Sequence, residues 1–396
     1  MAPLEFLEAR ETVIGAVRAA LKPAEEETAL DAAMGRVLAE TVSADRDSPA
    51  LARSLRDGFA VRAADLPGEL DVIGEVRAGE RFAGEVGPGQ ALAIMTGAPL
   101  TSGADAVVML EHAVAMAGRV RISQPAEPGR NVNPRASEAA AGEPLLRAGQ
   151  RLDYSAIALL ASVGQARVRV YRQPVAAIVP TGDELVEAGR TPLDYQVRNS
   201  NAQALAAQVQ RAGGRPRILP IARDSVEHTR GILERALDCD LLLVSGGVSA
   251  GKYDVVARAL GALGATFYFD RVLIQPGQPL AFGSVAGKFF FGLPGNPAST
   301  MVTFELFARA ALELLGGQTD VSLAMPFARL TREFRHRPGL TRFLPARLSG
   351  DGAEVTPLAW HGSGDIPALT RANAFLVADS GRAEYPAGEW IRVLMK

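Results

Sequence analysis

Residues 241–254 read LLLVSGGVSAGKYD, and the fold follows from that stretch. Leu241 to Val244 are apolar and strand-like, and they run into Ser245, Gly246 and Gly247, where the missing Cβ atoms let backbone amides approach a ligand closely. Residues 289–300, FFFGLPGNPAST, repeat the logic. There Asn296 is a natural N-cap and Pro297 a natural first helical residue, which turns the unpaired amides of a helix start toward the loop. Two such turns in one segment predict a phosphate-bearing ligand. Residues 246–252 also fit the first seven positions of a P-loop, but the eighth, which should be Ser or Thr to ligate magnesium, is Tyr253, so that reading is rejected.

Working outward, residues 175–315 hold strand-like runs at 175–179, 217–221, 241–244, 266–275, 279–283 and 288–292. In the first half of the segment, stretches of helical length separate them. This alternation predicts an α/β domain with a doubly wound, mostly parallel sheet. Ligands sit at the carboxyl ends of the strands in such sheets, which singles out the loops PTGDE (180–184), ARD (222–224), 245–254, QPGQP (275–279) and GLPGNP (292–297). These loops carry Asp183, Glu184, Asp224 and Asp254. Carboxylates beside a phosphate site repel it unless a cation lies between them, so magnesium is expected. Each acid taken singly reads more readily as a helix cap or a solvated loop residue, and Asp254 in particular as the cap of the helix that follows.

Composition bounds the rest. The chain has 396 residues, 42 basic against 44 acidic side chains and a net charge of −2. That balance points away from nucleic acid and toward a small ligand. No apolar run has membrane-span length and the N-terminal stretch is charged, so a cytoplasmic protein is expected. The single cysteine, Cys239, precedes an apolar strand and reads as a packing residue, and the four histidines lack zinc-like spacing. Residues 3–38 have a helical pattern. From 42 to 123 short apolar runs alternate with Gly and Pro, as in a small β unit, and a helix is expected at 155–163. After Gly316 a second β-rich unit, a small barrel or sandwich, runs to the end. Its loop HGSGD (361–365) reads as a plain turn whose Ser363 hydroxyl can face a cleft.

SLRDGFAV (54–61), IMTGAPLTSGADAVVMLE (94–111), PTGDEL (180–185), VSGGVSAGKYD (244–254), PGQPLAFG (276–283) and GLPGNPAS (292–299) resemble, in order and spacing, the molybdopterin molybdenumtransferases, the family of bacterial MoeA proteins and the gephyrin E domain. The resemblance covers essentially the whole chain. It implies a homodimer with four domains per protomer: a linking domain (1–45 and 139–172), a β-rich insertion (46–138), the α/β molybdopterin-binding domain (173–318) and a C-terminal β domain (319–396). It further implies a site shared between subunits and a reaction of adenylylated molybdopterin with molybdate that yields molybdenum cofactor and AMP. The upstream molybdopterin adenylyltransferase is an implied partner. The catalytic and magnesium-binding acids become Asp57, Glu184, Asp224 and Asp254, with Glu138 added to the metal set. Thr96, Thr181, Gly182, Ser245, Gly246, Gly247, Ser249, Gln275, Gln278, Pro294, Gly295, Asn296, Ser299 and Ser363 become ligand-binding.

Departures from the family pattern are as informative. Where the family has Lys-Pro-Gly-Lys-Pro, this chain has Gln275-Pro276-Gly277-Gln278-Pro279. The two arginines expected near residues 339–345 are absent, Arg342 stands in place of an acid, and Glu138 stands where aspartate is commoner. Charge-assisted hydrogen bonds are roughly twice as strong as neutral ones, so weaker molybdate capture is expected. A molybdenum-insertion enzyme is the leading reading. A non-catalytic molybdopterin carrier or scaffold is the alternative, and the β insertion argues against a nucleotide pyrophosphohydrolase.

Overall fold

The computed structural model describes residues 1–247 and 255–396. The chain forms two compact units, one of Met1–Ala39, Gly149–Asp153 and Val168–Lys396, the other of Glu40–Ala148 and Tyr154–Arg167.

In the first unit, the α/β domain is built from β1 (Val175–Pro180), α1 (Ser200–Arg211), β2 (Arg215–Ile218), α2 (Val226–Ala236), β3 (Leu241–Ser245), α3 (Val255–Ala262), β4 (Thr266–Phe269), β5 (Ala281–Val285), β6 (Lys288–Leu293) and α4 (Pro297–Thr303). The sheet order is β2-β1-β3-β6-β5-β4. The pairs β2/β1, β1/β3 and β3/β6 are parallel, and β6/β5 and β5/β4 are antiparallel. The expected doubly wound sheet is therefore present, closed at one edge by a hairpin. Its central strands are apolar over residues 175–179, 241–244 and 289–293 because both faces are covered there. Ala176, Ile178, Leu241, Leu243, Phe289 and Phe291 face a core shared with α1, α4 and the N-terminal helix Phe6–Ala20. Ala177, Val179, Leu242, Val244 and Phe290 face α2 and α3. Cys239 is buried in that second core, where burial pushes its thiol pKa up, as befits a packing residue.

Two sequence readings shift. Only Thr266–Phe269 of the 266–275 run belongs to this sheet, since Ile274–Gln275 pairs in parallel with Thr341–Arg342. The helical pattern of residues 3–38 yields an α-helix over Phe6–Ala20, followed by a short strand at Glu25–Ala29 and a 3₁₀ turn at Leu30–Ala32. The C-terminal strands Phe327–Leu330, Thr341–Leu348, Glu354–Pro357, Ala374–Ala378 and Trp390–Met395 close into a barrel through the 341–348/374–378 pairing, which decides between barrel and sandwich.

The second unit is a six-stranded sheet with an apolar cluster on each face, together with a helix at Tyr154–Ser162. Among the described residues no helix is long and apolar enough to cross a membrane.

Candidate functional site

The carboxyl ends of β1, β3 and β6 open onto a cleft of about 1000 Å³. Thr181, Gly182, Glu184, Asp224, Ser245, Gly246, Gly247, Gly295 and Asn296 line it, so nine of the expected residues stand together. Local geometry explains the glycines. Gly182 has φ +140°, and a Cβ there would lie 2.4 Å from the Glu184 carboxylate, so its bare backbone lets Glu184 fold back over the turn. Gly246 has φ +97°, with only 2.7 Å between an added Cβ and the Thr181 carbonyl. The two glycine turns touch, because a Cβ on Gly295 would sit 3.7 Å from the Gly246 Cα.

Three of the turn amides are engaged within the protein. Thr181 N–H donates to the Ser245 carbonyl (2.9 Å), Gly182 N–H to Ala222 (3.0 Å) and Gly246 N–H to Leu293 (3.1 Å). These bonds lock the loops to one another and occupy the amides. Asn296 stands at the N-cap of α4 but makes no side-chain capping bond. The Ala298 amide of that helix is taken by the Ser363 carbonyl at 2.8 Å. Helix starts at the rim add positive potential. Asn199, Ser200 and Asn201 at the head of α1, and Asp224 and Val226 at the head of α2, all line the cleft.

Loop bonding also places the acids. Asp183 N–H donates to Asp224 Oδ2 (3.4 Å) and Asp224 N–H to Asp183 Oδ1 (3.2 Å), a reciprocal latch that leaves Asp224, not Asp183, in the cleft wall.

Sequence reasoning missed Asn201, Arg198 and Arg258. Asn201 Nδ2 donates to Ser245 Oγ (3.0 Å) and to the Gly295 carbonyl (2.8 Å), tying the two turns together. Among the described residues its Oδ1 is buried without a hydrogen-bond partner. The signal was present in RNSNA (198–202), where Asn199 caps α1 through Ala202 N–H at 3.1 Å. Arg198 and Arg258 also line the cleft.

A second cavity of about 290 Å³ adjoins through Asn296, which lines both. Gln275, Gln278, Ser299 and Ser363 line it along with Trp360 and Leu340, and among the described residues none that lines it is ionisable. Arg342 pairs in register with Gln275 but does not line this cavity, and among the described residues its Nε is buried without a partner. Pro294 lines neither space; its carbonyl accepts from Thr300 Oγ1 at 2.6 Å.

In the other unit, Asp57 Oδ1 accepts from both Thr96 N–H (2.7 Å) and Thr96 Oγ1 (2.8 Å). These bonds, the amide first, hold the carboxyl below its ordinary pKa. Glu138 lies in a cavity of about 280 Å³ with Asp47, Ser48 and Arg53. Its two oxygens accept from Ser48 Oγ (2.8 Å) and Asn133 Nδ2 (3.3 Å). Ser249 and Asp254 lie outside the described residues. Among the described residues no group of three or more His, Cys, Asp or Glu gathers as a metal site.

Three family models account for most of the chain: the MoeA N-terminal region (domains I and II) over residues 4–164, the "Probable molybdopterin binding domain" over 177–314 and the MoeA C-terminal region (domain IV) over 328–396. A molybdopterin molybdenumtransferase of Staphylococcus aureus is 32% identical over 93% of this chain and 90% of its own length. One crystal structure of a molybdopterin biosynthesis MoeA protein from Pyrococcus horikoshii has TM-score 0.77 and 31% identity, covering 100% of this chain and 99% of that one. Another from the same organism has TM-score 0.83 and 26% identity, with both chains fully covered. The loop order, the cleft and these full-length likenesses together place the chain in the MoeA family of molybdopterin molybdenumtransferases.

Proposed function

We propose that this chain inserts molybdenum into molybdopterin during molybdenum cofactor biosynthesis, taking adenylylated molybdopterin and molybdate and releasing AMP. The observation that carries the reading is the pair of adjoining spaces joined at Asn296. One is large enough for a pterin nucleotide and is flanked by helix starts and carboxylates. The other is small and lined by the hydroxyls and amides of Ser299, Ser363, Gln275 and Gln278. The four-domain division given above belongs to the same reading.

Magnesium fits the donor set. Glu184 and Asp224 offer hard oxygen ligands in the cleft wall, and this ion usually takes one or two protein carboxylates, leaving its other positions to water and substrate phosphate. Glu184 and Asp224 would hold it, with Asp57, Asp254 and Glu138 the other members of the expected acidic set. Held there, the ion would supply neutralisation of charge on the scissile phosphate. The chain's own contribution is orientation. Asn201 fixes the two turns, the Asp183–Asp224 latch fixes the acidic loops, and the dithiolene chemistry belongs to the pterin.

The deciding experiment follows AMP release and cofactor formation from adenylylated molybdopterin across a molybdate titration, with and without magnesium. Molybdate- and magnesium-dependent release supports the reading, and an absence of turnover overturns it. The uncharged small cavity favours one rival, a molybdopterin carrier, which would bind the pterin in the same assay and release no AMP. A cytoplasmic homodimer with a site completed across subunits is part of the proposal. Mixing Asp57→Ala chains with Gly247→Val chains should then restore activity in heterodimers, and inactive heterodimers would remove that part. Direct hand-over from the adenylyltransferase that supplies the substrate is expected of the same assembly.

A further inference from the structure

The cleft and the small cavity differ in charge in a way the glycine turns do not explain. A phosphate in the cleft finds the Thr181, Gly182 and Gly246 amides already committed to the Ser245, Ala222 and Leu293 carbonyls. It also meets two carboxylates, Glu184 and Asp224. Without a metal ion bound there, neutral donors alone do not offset that repulsion. Among the described residues, Arg198 and Arg258 are the cationic side chains lining the cleft.

Each arginine is presented by a fixed element. Arg198 lies on the short strand Val197–Arg198, which pairs in parallel with Leu185–Val186 directly after the Glu184 loop. Its Nε donates to the Arg190 carbonyl at 2.9 Å, which orients the guanidinium at the rim. Arg258 lies in the first turn of α3, whose first residue, Val255, also lines the cleft. Among the described residues, none that lines the adjoining small cavity is ionisable.

We infer that Arg198 and Arg258 clamp the phosphate of the substrate in the cleft, while the oxyanion in the adjoining cavity is held by neutral donors alone. The inference rests on the function proposed above and adds the positioning residues of its nucleotide half. A planar guanidinium fork matches phosphate oxygens in pairs, which a backbone amide cannot do. The two subsites should then differ in ionic-strength dependence, because cation-held phosphate is screened by salt and neutral hydrogen bonds are not.

The test uses the full-length protein with AMP and sodium molybdate as separate probes, each titrated by calorimetry from low to high potassium chloride. Wild type should lose AMP affinity as salt rises and keep its molybdate affinity nearly constant. Arg198→Gln and Arg258→Gln should each weaken AMP binding by about tenfold, the loss of one charge-assisted contact, flatten its salt dependence and leave molybdate untouched. Arg198→Lys should retain the salt slope while losing affinity, because it keeps the charge and loses the fork. Unchanged melting temperatures establish that the variants fold. AMP binding within twofold of wild type in both glutamine variants overturns the clamp alone, and so does an equal loss of molybdate affinity. Failure of wild type to bind AMP under any salt overturns the clamp together with the nucleotide half of the proposed function.

Discussion

Gly182 and Glu184 behave as one unit, because the glycine's bare Cα is the space into which the glutamate carboxylate folds. Gly182→Ala should displace that carboxylate and also strain a backbone at φ +140°, at a cost of about 1–3 kcal/mol. Its turnover should fall as far as that of Glu184→Gln, whose melting temperature should stay near wild type. A Gly182→Ala enzyme with wild-type turnover would show that Glu184 works from another position. Asp57 gives a pH prediction. Its carboxyl is held below the ordinary range by the Thr96 amide and then the Thr96 hydroxyl. The stabilisation from these bonds is therefore complete above the ordinary carboxylate pKa and is lost as pH falls through the depressed one. Thr96→Val removes the hydroxyl bond and keeps the amide, so the Asp57 titration, followed by carboxyl NMR, should move upward toward the ordinary value. An unmoved midpoint would count against the hydroxyl's role.

At the scale of elements, the short helix Ile366–Arg371 is held by Asp365, and its cap organises the small cavity. Asp365 Oδ2 accepts from His361 N–H at 3.0 Å and Oδ1 from Ala368 N–H at 2.9 Å. Between those anchors, Ser363 lines the cavity and gives its carbonyl to Ala298 N–H. Both bonds, that from His361 first, hold the Asp365 carboxyl below its ordinary pKa, so this anchoring too weakens as pH falls through the depressed value. Asp365→Ala should lower the melting temperature slightly and raise the molybdate requirement several-fold, since a misplaced donor loses its hydrogen bond. An unchanged molybdate midpoint would remove Ser363 from the oxyanion site. A second element depends on Arg10 of the N-terminal helix, which is buried and donates to the carbonyls of Leu306, within the π-helical turn Phe304–Ala308, and Val321. Burial lowers its pKa to about 10. Arg10→Met should destabilise the protein by about 1–3 kcal/mol for each buried carbonyl left unpaired, measured by chemical denaturation.

On the scale of the first unit, aromatic packing joins the N-terminal helix, the helix after β6 and the barrel. Phe6 stands edge-to-face against Phe307 at 5.8 Å and Phe343 at 5.4 Å, and Phe343 is fully buried in the core that holds the α/β sheet. Phe343→Ala should cost about 3–5 kcal/mol, seen as a lower denaturation midpoint, with AMP affinity retained while folded; a loss under 1 kcal/mol would show that the barrel packs independently. Much of this was legible in the residues. The apolar runs at 175–179, 241–244 and 288–292 and the glycines after them specify parallel strands and their ligand-binding ends, because strand pattern and missing Cβ atoms act locally. Glu184, Asp224 and the glycine turns follow from the same rule. Local pattern did not reveal where the loop amides point, that Asn201 ties two turns 44 and 94 residues away, that Arg198 and Arg258 line the cleft, or that Ile274–Gln275 leaves the sheet for the barrel. The sequence by itself determined the strands, the turns and the chemistry available at their ends. Only the tertiary structure decided which donors are spent holding loops together and which still face the ligand, because each amide bonds whichever carbonyl the packed chain brings within reach.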